Sequence, residues 1–254
     1  MTVATVAGLA GYVLRHGDDH LIIAQNLSWW ISRAPELEED IALANIALDH
    51  LGVATHLLDY AATLLDDGRD ADDLAFLRSE REYVNSLLVE QPNADFAHTV
   101  ARHYLFDEYQ VLVWDALTTC RDEMLAGIAA RAVKEATYHV RHSSAWVVRL
   151  GDGTDESRRR MRTALGWMWR FTAELFRAEP GDDDLVARRL APDPRDLAPV
   201  WLRRVEAVLG EATLDVPAEG AQRTGGRSGH HTEHLCHLLT DLQWMQRTYP
   251  GLEW

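Results

Sequence analysis

The chain has 254 residues, a formal net charge of −15, 47% hydrophobic residues and two cysteines. That acidity argues against a nucleic-acid partner, which needs a basic footprint, and two cysteines exclude a disulfide framework. The apolar share is enough for a sizeable core, and no unbroken apolar run of about 18 residues marks a membrane span.

The opening stretch, MTVATVAGLAGYVLRHGDDH, lacks a basic region followed by a long apolar one, so no secretory leader is expected. Cys120 and Cys236 read as reduced thiols, and the expected location is the cytoplasm. Apolar residues then recur at three- and four-residue spacings along most of the chain, which predicts helices. The first runs from about Val3 to Ser32, with a possible break at Gly17, and stops before Ala34-Pro35. The second covers Leu37 to Leu65, and a short helical piece follows over Asp72 to Leu88. Pro92 breaks the chain at VEQPNADFAH, and Asp95 is placed to cap a third helix over Phe96 to Thr119. A fourth spans Asp122 to Leu150 and a fifth begins at Asp155 and ends near Phe176. The segment Arg177 to Pro199 holds four prolines and reads as a loop. A short helix over Pro199 to Glu211, an irregular stretch, and a closing helix over His231 to Tyr249 complete the chain. Thr232 is a candidate cap for that last helix. Long helices joined by short turns predict an all-α antiparallel bundle, one domain over 1–254 with the C-terminal segments packed on it.

The stretch KEATYHVRHSSAW poses the chemical question, because Glu and His on bundle helices are the material of carboxylate-bridged dimetal sites. The spacing places Glu135, His139, His142 and Trp146 on one stripe of the fourth helix. Asn45, Asp49 and His56 form a comparable stripe on the second, with Asp107 on the third and Gln25 on the first. Such a centre needs about four carboxylates and two Glu-x-x-His pairs. None of the 12 histidines has a glutamate three residues before it, and His98 alone has an aspartate there, at a helix start. Only Asp49, Asp107 and Glu135 qualify as inward carboxylates. The favoured expectation is therefore a metal-free polar network of Gln25, Asn45, Asp49, Asp107, Glu135 and His139. The competing reading is a di-iron or di-manganese enzyme using Asp49, Asp107, Glu135, His139 and His142.

Two other motifs invite chemistry. Arg158, Arg159, Arg160 and Arg162 form a basic cluster, read first as a solvated face, and Arg223 and Arg227 flank the motif QRTGGRSGHH. His230, His231, His234, Cys236 and His237 are dense enough to suggest zinc, although helical zinc pairs usually stand four apart. Packing of an ordered loop is the simpler expectation there, with Gly225 and Gly226 permitting a tight backbone path. No nucleophile elbow or glycine-rich phosphate loop is present.

A set of segments carries a specific resemblance: APELEEDIALANIALDHLG, SEREYVNSLLVEQPNADFAHTVARHYLFDE, KEATYHVRHS, LGDGTD, WRFTAELF, EATLDVP and QRTGGRSGHHTEHL. Together they make the chain resemble the C-subunit family of bacterial phenylacetyl-CoA epoxidases over about Tyr12 to Trp254. The resemblance implies a ferritin-like fold and a non-catalytic structural role beside an A-type catalytic subunit that holds the di-iron centre. It implies no cofactor in this chain, electrons supplied through a separate reductase, further small subunits, and phenylacetyl-CoA at a shared pocket. It places Glu82, Tyr83, Val84 and Asn85 at the edge of that pocket, with Asn85 toward the pantetheine amides and Tyr83 against an apolar part of the ligand. Asp183, Asp184 and Leu185 form a second implied edge, where this chain departs from the family pattern. Separately, the nine tryptophans suggest a broad apolar interface, for which Trp29, Trp30, Trp167 and Trp169 are candidates, with burial in the core the equal alternative for each.

Overall fold

The computed structural model describes residues 8–218 and 220–252; the predicted helix start at Val3 lies outside them. Nine α-helices follow in order among the described residues: α1 Gly8–Ser28, α2 Leu37–Leu65, α3 Ala71–Phe76, α4 Phe96–Leu117, α5 Glu123–Gly151, α6 Asp155–Met168, α7 Asp182–Ala187, α8 Pro194–Glu211 and α9 Glu233–Thr248. No strand occurs among those residues. The fold is all-α and ferritin-like.

The chain forms two compact units, Met1–Gln91 with Gly225–Trp254, and Pro92–Thr224. In the first, α1 and α2 pack along their lengths as a pair, and the short connection between them makes them antiparallel. Gly17 does not break α1. A Cβ there would meet Leu58 Cδ2 at 2.9 Å, so the glycine lets the two helices approach. α3 and α9 close the unit. The stretch expected to be helical to Leu88 leaves the helix at Phe76 instead. Residues 83–91 run without regular structure, yet Tyr83 and residues 85–91 are buried. Their backbone groups are satisfied by side chains from elsewhere in the unit, which local periodicity cannot foretell.

In the second unit, α4 and α5 form the long pair, with α6 and α8 packed against it. Asp95 caps α4 by accepting from His98 N at 3.0 Å, and Asp122 caps α5 by accepting from Leu125 N at 2.8 Å. α6 ends at Met168, and the chain continues to Phe176 in 3₁₀ turns. The proline-rich segment holds more helix than its composition suggests. α8 starts at Pro194, behind the capping Asp193, and carries Pro199 inside it. Proline is well suited to the first helical position, and Pro199 forfeits one backbone bond near an exposed helix end.

α2 corrects the expectation about membrane-length segments. By length and composition alone it could cross a membrane, yet less than half of its most apolar stretch is buried. Its buried face is Leu43, Ile46, Ala47, His50, Val53, Ala54, Leu57, Leu58 and Ala61.

Candidate functional site

The polar interior of the first unit is built on Asp18 and Asp19, adjacent on α1 and both fully buried. Each holds an arginine from a distant part of the chain. Asp18 is clasped by Arg78 through both carboxylate oxygens, and it also accepts from Val84 N at 2.9 Å. Asp19 accepts from Arg227 Nη1 and Nη2 at 3.1 and 2.7 Å, and from Ser86 N at 2.7 Å. Burial pushes the Asp19 carboxyl up, against the pull of Arg227. For Arg78, burial favours the neutral form, but Asp18 holds its pKa above the ordinary value. Arg227 also donates to the carbonyls of Arg15 and Val84, at 3.1 and 2.9 Å.

Glu90 anchors a second knot. It accepts from His231 Nδ1 at 2.7 Å, Thr232 N at 2.6 Å, Thr232 Oγ1 at 2.8 Å and Asn85 Nδ2 at 2.9 Å. The other His231 nitrogen faces the Tyr83 carbonyl at 2.9 Å. Both ring nitrogens thus face acceptors, which only the doubly protonated imidazolium satisfies. Burial opposes that charge, yet the Glu90 hydrogen bond and charge leave the His231 pKa raised. Thr232 occupies the cap position of α9 but spends its hydroxyl on Glu90, so the expected side-chain cap is not made.

The glycines of QRTGGRSGHH explain how this segment docks. A Cβ on Gly226 would collide with the Asn85 carbonyl, and one on Gly229, whose φ is 74°, would collide with the Arg81 carbonyl. Backbone lies against backbone there, and neither partner can yield.

The second unit has a different interior. Asp107 on α4 accepts from Ser143 Oγ on α5 at 2.8 Å, and its other oxygen lies 3.3 Å from His103 Nδ1. The His103 and His139 rings are 5.9 Å apart. Burial raises the Asp107 pKa well above the carboxylate range and lowers that of His103 well below its usual value. Burial thus favours the neutral form of both Asp107 and His103. Glu108 faces Arg204 at 3.5 Å, and Arg102 is buried with its Nη2 on Asn93 Oδ1 at 2.7 Å.

Of the six residues predicted to line an inner network, only Asp107 and His139 are buried. Asn45 is exposed and Asp49 half-buried, because their stripe lies one helical step from the face that packs on α1. His56 on the same stripe is exposed too. His50 is the inward polar residue of α2, with its Nδ1 2.9 Å from that of His20. On α1 the buried amide is Asn26, which donates to the Val89 carbonyl at 2.9 Å, and Gln25 is half-buried. Glu135 turns outward to Arg131 at 3.1 Å. The acidic pair in HGDDH was the missed signal, since two adjacent charges inside an otherwise apolar helix are costly unless partnered.

The implied pocket edges differ in exposure. Tyr83 is fully buried, its hydroxyl donating to the Ala75 carbonyl and its ring beneath Arg78. Burial pushes its pKa up to about 12. Asn85 is fully buried and committed to Glu90. Both side chains are thus held by hydrogen bonds within the chain. Glu82 is exposed and Val84 half-exposed. On α7, Asp183 and Asp184 are exposed and paired with Arg195 and Arg188, while Leu185 is buried. Trp29 and Trp167 are exposed; Trp30 and Trp169 are buried. His231 is committed to Glu90, and Cys236 and His237 are on the surface.

These donors do not fit a dinuclear carboxylate centre. The inward carboxylates of α1 are both occupied by arginines. The buried faces of α2 and α5 carry no Asp or Glu. Four carboxylates and two Glu-x-x-His pairs are required.

What these features define is a ferritin-like helical protein whose buried aspartates on α1 are paired with arginines of the same chain. The family described as phenylacetic acid catabolic protein matches residues 1–254. The chain is 51% identical over 246 residues to the C subunit of 1,2-phenylacetyl-CoA epoxidase from Escherichia coli (strain K12), covering 97% of this chain and 99% of that one. The chain belongs to the phenylacetic acid catabolic protein family.

Proposed function

We propose that this chain is a non-catalytic, structural subunit of an oxygen-dependent phenylacetyl-CoA epoxidase acting in aerobic phenylacetate degradation in the cytoplasm. In this reading it pairs with an A-type subunit that carries the di-iron centre, steadies that partner's fold and borders the acyl-CoA pocket. A reductase and further subunits supply electrons and complete the complex, and this chain binds no cofactor of its own. The observation that carries the reading is the assignment of Asp18 and Asp19 to Arg78 and Arg227. A bundle of the same family that spends its inner carboxylates on arginines serves as scaffold. Near-complete alignment with the C subunit of an epoxidase supports the same role.

Two surfaces are offered to that pocket, each within its own unit: exposed Glu82 with half-exposed Val84, and α7 at Asp183 and Asp184. Arg195 and Arg188 offset those two carboxylates, which would otherwise repel the phosphates of CoA. Co-expression tests the role. The catalytic subunit made alone is expected to be poorly soluble or inactive, and soluble and active with this chain. A catalytic subunit fully stable and active by itself would contradict the support role.

A further inference from the structure

α2 is apolar on two faces. One packs on α1. The other carries Leu37, Ile41, Ala44, Leu48, Leu51 and Thr55, at alternating four- and three-residue spacings. The large members of that stripe stand open: Leu37 is 73% exposed, Ile41 55%, Leu48 64% and Leu51 44%. Such spacing is the seam of a helix that meets another helix side by side.

Charge decides what covers it. α2 contains Glu38, Glu39, Asp40, Asp49 and Asp59 and no lysine or arginine. A second copy of this helix would bring acidic flanks against acidic flanks, which is unfavourable. A lipid surface would have to accept Asn45, His56 and Asp59, which are exposed beside the stripe. We propose that the outer stripe of α2 is the docking face for an amphipathic helix of the catalytic subunit, one whose apolar seam is flanked by lysine and arginine. This assignment rests on the subunit reading above and adds the surface and the chemistry of its partner.

The test measures binding of the purified catalytic subunit to the whole chain, at low and high salt. It uses wild type, the double variant Leu48→Glu with Leu51→Glu, and the charge reversal Asp49→Lys with Asp59→Lys. These side chains pack outside the core, and circular dichroism checks that each variant folds. The proposal expects wild-type binding that weakens with salt, and affinity at least about tenfold lower in each variant. Wild-type binding that both variants retain would overturn the docking face while leaving the subunit reading intact. No binding by wild type would overturn the subunit reading itself. Self-association, or binding to phosphatidylglycerol vesicles, that the leucine variant abolishes would overturn the proposed occupant.

Discussion

Asp19 and Arg227 stand 208 positions apart in sequence and meet in a two-pronged, buried ion pair, with Nη2–Oδ2 at 2.7 Å. The pair ties the C-terminal motif to α1, and through Ser86 N and the Val84 carbonyl it also fixes the irregular segment between them. Removing one member strands a charge in the core. Arg227→Met or Asp19→Leu should each cost about 3–5 kcal/mol, and the double variant clearly less than their sum. Urea unfolding of the four proteins in the cycle measures this; simple additivity would mean that the two side chains are not coupled.

Gly226→Ala should destabilise the chain and loosen residues 225–231, because the added methyl meets the Asn85 carbonyl, a backbone atom. Gly220→Ala serves as the control. Its Cβ would find only the Ala218 carbonyl, at 3.9 Å. Amide exchange across the two segments reads the difference, and equal protection in both variants would count against the docking described.

His231 gives a pH signature. Its folded pKa is raised by Glu90, so it contributes stability that is complete below about pH 6.5, the unfolded value. That contribution is lost as the pH rises through the folded value. The stability gap between wild type and His231→Gln should therefore shrink as the pH is raised from about 6 to about 9, as followed by thermal unfolding. A gap that grows over that range would reverse the assignment of charge.

Burial pushes the Asp107 carboxyl well up, toward its neutral form, while it accepts from Ser143. Asp107→Asn replaces a carboxylic acid with a neutral group of the same shape. Unfolding stability should stay within about 1 kcal/mol of wild type or rise, and the reconstituted epoxidase should keep its turnover. A large loss of turnover with stability unchanged would make Asp107 a functional ligand.

The helices with long periodic faces are legible in the sequence. α2 lies at its predicted limits, and the cap Asp95 is readable from side-chain chemistry close to the helix start. The face of α2 is harder. With Ile41, Leu48 and Leu51 on one side and Leu43, Ile46 and Leu57 on the other, periodicity cannot say which side packs, and the polar stripe reads as inward for that reason. The interior charges are the least legible part. Asp18, Asp19 and Glu90 are settled by Arg78, Arg227 and His231, partners that only the tertiary fold brings near. Residues 83–91 are the matching case for the backbone, buried without helix because side chains from α1 and the C-terminal motif replace the missing ladder.

Elemental analysis of the purified chain, alone and after co-expression with the catalytic subunit, tests the scaffold role most directly. The account predicts no stoichiometric metal on the chain alone, with iron arriving only in the complex. About two irons per chain in the isolated protein, the complement of a dinuclear centre, would contradict it, and Asp107 and His139 would then be the first residues to replace.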